Sequence, residues 1–538
     1  MTPVAPTRLI WWAACLTLAA VLAVPFFLAQ IPPVLDYPNH LARAFILTFG
    51  AHDPWLSRMY EPHWQIIPNL AVDLVLPPLL HVLPIHVAGR LVLAASLLLP
   101  LAGVLAYSRA LFGRPTLWSL GSALVAYNAG FLLGFENFLF SVGAALLVAS
   151  IWIAMREKRP WTVVVATTCG AIVIFFCHIM GVVLLGLLIG AYELDRLLER
   201  THAKEGLSAR WLAIRAAAVL TAFIPTVVLF AVSPTAEMAG PTRWAFLSKP
   251  LLALAPLMNY SLRLDLATGY ALIAFVVIAI MKGGLAVPRS GGIALALLLL
   301  AFLVSPFQAK GDAFFDVRFA LMAAYLLFAG VAEMPQRGRG AVTLGALCLL
   351  ALFLARMGFL SRVWDEQDIQ LGEMRAAVKP VPAGARVLVA LVTPSDAPQY
   401  WRQAPRVRRI ETLQMTNIHL ATFLLARHRA FSPFLFADPA AVPIAVRFPY
   451  RGDAMIKNSF DPPSYRLLGG SRLSRMEKRT YPFLDHWWSK FGYVLVLDAG
   501  GLPDPARLDR EHLRLIRFTD AAALYQVRQP RSSGAALR

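Results

Sequence analysis

Residues 9–31 read LIWWAACLTLAAVLAVPFFLAQI, and Pro32-Pro33-Val34-Leu35-Asp36-Tyr37-Pro38-Asn39-His40-Leu41-Ala42-Arg43 follows them. The first run carries no charge and exceeds the roughly 20 apolar residues that a helix needs to cross a bilayer. It is too long for the apolar core of a signal peptide, about 7 to 15 residues, and Pro-Pro stands where a small-residue cleavage site would be. It reads as a retained first span. The second run is the loop into which that span empties.

Ten further apolar runs follow, at about 86–107, 116–134, 137–155, 161–177, 179–194, 211–232, 266–281, 292–308, 319–334 and 341–359. Composition agrees, since only 15% of the 538 residues are charged and 58% are hydrophobic, with mean hydropathy +0.61. Soluble proteins are about 25% charged. The expected fold is an α-helical polytopic membrane protein of about eleven transmembrane helices.

Basic residues set its orientation. Arg8, then Arg109 and Arg114, Arg156 to Arg159, Arg196 to Arg215, Lys282 and Arg289, and Arg337 and Arg339 fall in alternate loops, as cytoplasmic loops require. The N-terminus is then inside, and an odd number of spans places everything after residue 360 outside. This is the layout of a multi-pass membrane protein, and a bacterial plasma membrane is its expected place. The net charge of +19 does not argue for nucleic acid, because 24 of the 50 Lys and Arg lie up to residue 360 and 26 after it. Cys15, Cys169, Cys177 and Cys348 all sit in apolar runs without paired spacing and read as packing residues.

Three regions follow: a transmembrane domain over 1–359 that includes a loop at 32–85, a connector at 360–373, and a C-terminal mixed α/β domain outside the membrane at 374–538. In the loop, Leu41, Phe45, Ile46 and Phe49 make a helical stripe and 70–80 repeats it, which predicts helices lying in the interface as a lid. In the last domain 386–392, 493–497 and 523–527 read as strands and 419–427 as a helix. The basic run 402–409 reads as a solvated face or a contact with anionic headgroups, and 531–538 as a frayed tail.

Ionisable residues near hydrocarbon cost about 2.5 to 3.5 kcal/mol at a helix centre, so those kept at span ends need a reason. They collect at one end here: Asp36, His40 and Arg43 after the first span, Glu136 and Asn137 in a tight turn, His178 in another, and Asp312, Asp316 and Arg318 in a third connection. Asp36 precedes a helix expected to start near Pro38. Its carboxylate either caps that helix or serves as a rigidly held base for an acceptor hydroxyl, and the two roles are compatible. For Arg318 the alternatives are a local ion pair with Asp316 or Asp312 and a contact to phosphate. For His178 they are a hydrogen-bonded turn residue and a contact to substrate, and for Glu136 and Asn137 they are turn chemistry and site. A divalent metal would draw on Asp36, Glu136, Asp312 and Asp316, with no local motif to specify it. No Walker loop, dinucleotide fingerprint, His-Glu-x-x-His or Gly-x-Ser-x-Gly occurs.

Asp36 to Arg43 resembles a pattern of the GT-C class of membrane glycosyltransferases, which includes the aminoarabinose transferases and protein O-mannosyltransferases. There an acidic residue opens the first outer loop and a helix follows in the pattern acid, five residues, Ala, Arg, as Asp36 to Ala42-Arg43 does here. Asp53-Pro54-Trp55 and Pro68-Asn69-Leu70 fall where that class often has an Asp-Trp pair and a Pro before its next helix. Many members carry two adjacent acids, whereas Tyr37 takes the second place here, so Asp36 would act alone or with Glu136. The resemblance implies an inverting transfer of a sugar from a polyprenyl-phosphate donor to a glycan, lipid or protein acceptor, with Asp36 as base. His40, Arg43, Glu136, Asn137, His178 and Arg318 would then bind substrate, with membrane lipids around the bundle. The rival readings are a noncatalytic membrane scaffold and a flippase for a lipid-linked saccharide.

Overall fold

The computed structural model describes residues 8–203, 208–334, 339–403, 410, 415–455, 461–469 and 473–528. Most of the basic run 402–409 and the whole of 531–538 lie outside the described residues. Apolar helices stand at all eleven expected places. Seven are long and apolar enough to cross a bilayer: Arg8–Phe27, Ile85–Phe112, Glu136–Met155, Pro160–Cys177, Ala209–Ala231, Leu262–Met281 and Thr343–Val378. The chain is a multi-pass membrane protein.

The other four are shorter or interrupted. Arg289–Val304 and Phe315–Ala329, of 16 and 15 residues, span only about 22 to 24 Å at 1.5 Å per residue. Ile179–His202 is apolar in its first turns and charged from Glu193 onward. The stretch Leu117–Leu133 is broken before Asn128, whose side chain accepts from the Phe131 amide at 2.9 Å and donates to the Val125 carbonyl at 2.8 Å. Those bonds satisfy backbone groups that the break exposes, the condition for irregular backbone within a bundle.

Residues 360–373, expected as a connector, are part of one 40-residue helix, Arg339–Val378. Leu360, Val363, Trp364, Leu371 and Met374 keep a buried stripe at helical spacing along it, so packing sustains the helix where apolar composition ends. Trp364 Nε1 donates to Tyr260 Oη at 3.2 Å, and that hydroxyl donates to the Pro33 carbonyl at 3.0 Å. The helix thereby holds the start of the first loop.

The C-terminal domain is built on a four-stranded sheet in the order Val387–Leu391, Tyr493–Leu497, Ala522–Val527, Leu513–Phe518. The first pair is parallel and the others antiparallel. The expected helix is a turn of 3-10 at Leu420–Thr422 followed by Phe423–His428.

The first loop, expected as an interfacial lid, is in part covered by protein. Its helices Tyr37–Phe49 and Ala71–Leu79 are present, but the former is buried from Tyr37 through Ala44, polar residues included. The C-terminal domain closes over it. Tyr60–Pro62 pairs antiparallel with Ile444–Val446, Arg429 Nε meets Asp53 Oδ2 at 2.9 Å, and the Phe436 amide donates to Asn39 Oδ1 at 3.1 Å. Of the apolar stripe, Leu41 and Ile46 are buried in protein, whereas Phe49 and, on the second helix, Leu74 and Val75 are exposed.

Candidate functional site

Asp36 sits where the helical bundle, the first loop and the C-terminal domain meet. Its amide donates to the Leu133 carbonyl at 3.2 Å and that of Leu35 to Leu132 at 2.9 Å. Gly134, with φ of 87°, lies against it so closely that a Cβ there would stand 2.7 Å from Asp36 Cβ. The Asp36 carbonyl accepts from the His40 amide at 3.1 Å, beginning the helix, yet its carboxylate makes no capping bond. Of the two roles open to that carboxylate, capping is not taken. Oδ1 instead meets Nδ1 of His419, 3.0 Å away and from the C-terminal domain. His419 is 4% exposed and the Asp36 side chain 19%.

Asp461 is the third member of this corner. Burial holds its carboxyl above the ordinary range; His419 opposes that shift and the Asp36 charge adds to it.

The helix Tyr37–Phe49 then places His40 and Arg43 on one face, three residues apart. Arg43 Nη2 donates to His40 Nδ1 at 2.8 Å, which leaves His40 Nε2 to donate to the Gly134 carbonyl at 3.4 Å. Burial first, and Arg43 second, hold His40 well below its usual value and therefore neutral. Arg43 is gripped from the other side by Asp73 at 2.5 and 3.0 Å, with both side chains almost fully buried. Asp73 was not among the residues singled out from sequence, although a lone acid in AVDLVLPPL is the kind of costly placement that signals a partner.

The turn at Gly134–Asn137 is the hub of the cluster. Glu136 is 1% exposed, and its Oε1 has no hydrogen-bond partner among the described residues. Asn137 is a strut: Oδ1 accepts from the Val72 amide at 2.8 Å, and Nδ2 donates to the carbonyl and side chain of Asn69 at 2.9 Å each. It fixes the return of the first loop. Phe135 carries the Arg318 guanidinium at 4.9 Å, and Phe138 packs edge-on to His178 at 5.7 Å.

His178 caps the helix Ile179–His202, its Nδ1 accepting from the Met180 amide at 3.1 Å. Arg318 pairs with Asp312 at 3.0 Å and donates to the Ala313 carbonyl at 2.9 Å. Asp316 binds Lys249 instead, whose ammonium also donates to the carbonyls of Phe302 and Ser305, all at 2.8 Å. Lys249 and His419 escaped the sequence reading because 67 and 383 residues separate them from their partners. Among the described residues no three His, Cys, Asp or Glu side chains are grouped to hold a metal ion.

Two residues before His419, Asn417 donates to Asp498 at 3.0 Å, and Gln370 of the long helix donates to the same carboxyl at 3.2 Å. Burial pushes Asp498 up to about 7 in spite of these bonds. An unfolded Asp titrates near 3.9, so from about pH 4 to 7 the folded chain holds a proton that the unfolded chain has lost. Stability through this group therefore falls as pH rises across that window and is level above it. Thermal unfolding of Asp498→Asn as a function of pH is expected to lack this decline.

No protein-family model matches the chain, and no curated protein sequence matches it. Among solved structures the chain is similar to the crystal structure of ArnT from Cupriavidus metallidurans bound to undecaprenyl phosphate. The likeness covers 96% of this chain and 97% of that one, at 13% identity and a TM-score of 0.49.

Proposed function

We propose that this chain is a GT-C-like, inverting glycosyltransferase that moves a sugar from a polyprenyl-phosphate donor to an acceptor on the outer face of a bacterial plasma membrane. The observation that carries the reading is the Asp36 carboxylate. It is held rigid by its own main chain, relieved of capping, and turned toward an imidazole where bundle, first loop and C-terminal domain meet. A carboxylate so placed suits acid–base work on an acceptor. The alternation of basic loops supports a cytoplasmic N-terminus and an external C-terminal domain.

In the transfer, the acceptor oxygen attacks the anomeric carbon as the bond from that carbon to the phosphate oxygen breaks. The electron pair leaves with polyprenyl phosphate, and the acceptor proton passes to the Asp36 corner. The leaving phosphate requires cationic partners. Arg43 and Lys249 are committed to Asp73 and Asp316, whereas Arg318 pairs with Asp312, whose side chain is 51% exposed. A phosphate can replace that weakly held carboxylate, and Nε of Arg318 has no partner among the described residues.

The test uses membranes carrying the full chain and a panel of short-chain polyprenyl-phosphate hexoses and pentoses, with released polyprenyl phosphate and transferred sugar as readouts. Transfer by the wild type that is lost in Asp36→Asn at equal abundance supports the reading. A scaffold or flippase would transfer no sugar and would be indifferent to Asp36. Arg318→Gln is expected to raise KM for the donor about 10- to 100-fold, the loss of a charge-assisted bond of about 1.5 to 3 kcal/mol, with a smaller effect on kcat.

A further inference from the structure

We infer that the imidazole of His419, oriented by Asp36, takes the proton from the acceptor, and that the acceptor therefore presents a neutral hydroxyl to this site. The inference rests on the glycosyl-transfer reading above. A carboxylate only accepts hydrogen bonds, so the 3.0 Å contact from Asp36 Oδ1 assigns a hydrogen to His419 Nδ1, and in the neutral ring Nε2 is then the acceptor. Nε2 is buried and has no hydrogen-bond partner among the described residues.

His40, by contrast, has both nitrogens bonded. The ring is also held in place. The His419 carbonyl accepts from the amide and hydroxyl of Thr422 at 3.0 and 2.8 Å. Phe436 packs edge-on at 5.0 Å, and its amide is tied to Asn39 on the helix that Asp36 begins. The geometry is that of a base oriented by a carboxylate, which holds the tautomer and stabilises the imidazolium.

The balance of the step follows. The acceptor O–H bond breaks, its proton goes to Nε2, and its electron pair forms the new bond to the anomeric carbon. The carbon–oxygen bond to phosphate breaks and its pair leaves with polyprenyl phosphate. The proton is afterwards released from Nε2 to water. A phosphate or carboxylate acceptor, already ionised, has no proton to give and would meet the like charge of Asp36. The corner favours a hydroxyl for both reasons.

His419→Asn is the decisive variant, because its amide keeps a donor near the Nδ1 position and removes Nε2. In the donor panel assay kcat is expected to fall about 10²- to 10⁴-fold, the usual range for a general base, with KM for the donor little changed. The acid limb of the rate–pH profile, to which Asp36, Asp461 and His40 also face, is expected to change shape. His419→Gly at normal abundance is expected to regain activity in proportion to added imidazole. Transfer by His419→Asn within threefold of wild type while Asp36→Asn is inactive would overturn the inference and leave glycosyl transfer standing with Asp36 itself as base. No recovery of folded His419→Gly by imidazole would also overturn it. No transfer by the wild type from any donor in the panel would sink the glycosyl-transfer reading and this inference together.

Discussion

Asp36→Asn is expected to lower sugar transfer about 10²- to 10⁴-fold while leaving the amount of folded protein unchanged, an effect of roughly 3 to 5 kcal/mol on the barrier. The substitution is nearly isosteric. The amide oxygen can still accept from His419 Nδ1, and the main-chain bonds to Leu132 and Leu133 do not involve the side chain. What is lost is the negative charge that would hold a proton or stabilise an imidazolium. Asp36→Ala removes the contact to His419 as well and is expected to be at least as inactive. The measurement is kcat per mole of membrane-embedded protein, with abundance read by immunoblot or in-gel fluorescence. Wild-type rates in both variants would leave the corner without a catalytic role.

Asp73→Ala is expected to be the most damaging change to folding, about 3 to 5 kcal/mol, because it leaves the Arg43 guanidinium buried without its anion. Burial and the opposing pull of Arg43 both act on the Asp73 carboxyl, and burial is the larger, holding it above the usual range. The pair therefore serves geometry more than net stability. Arg43 loses its orientation when Asp73 is removed, and with it the bond that fixes the His40 tautomer against the Gly134 carbonyl. Replacing both partners together, as Arg43→Met with Asp73→Leu, is expected to recover most of the lost stability, since apolar groups of similar volume often replace a buried ion pair at little cost. Thermal inactivation of the detergent-solubilised chain reads both. Equal loss in the single and double variants would show that the ion pair itself, and not the stranded charge, carries the effect.

The helices were readable from hydropathy because lipid allows few alternatives. A backbone in hydrocarbon must satisfy its own polar groups, so uncharged runs such as 9–31 and 137–155 had to be helices at close to those bounds. The buried strands Val387–Leu391 and Tyr493–Leu497 were legible for a related reason, being short, continuous and rich in β-branched residues. The long helix Arg339–Val378 was not, because its second half is charged on its exposed side and only the sheet and Tyr260 show which side is buried. In the same way the stripe of Leu41, Phe45, Ile46 and Phe49 gave a helix correctly but did not show that Arg429 of the C-terminal domain lies over Phe45.

For the site, local order along the chain brought Asp36, His40, Arg43, Glu136 and Asn137 into view, since each lies in a connection that follows an apolar run or at the start of one. It did not distinguish a strut such as Asn137 or a cap such as His178 from a group free to meet a substrate, because that depends on which backbone amides lie opposite.

The sequence by itself determined that this is a polytopic membrane protein whose first loop opens with a lone acid. Only the tertiary structure decided that the acid leaves its helix uncapped and faces His419, that Arg43 belongs to Asp73, and that Lys249 belongs to Asp316. The reason is that hydropathy and helical spacing are properties of neighbours in the chain, whereas a hydrogen bond between residues 383 apart exists only after the whole chain has packed.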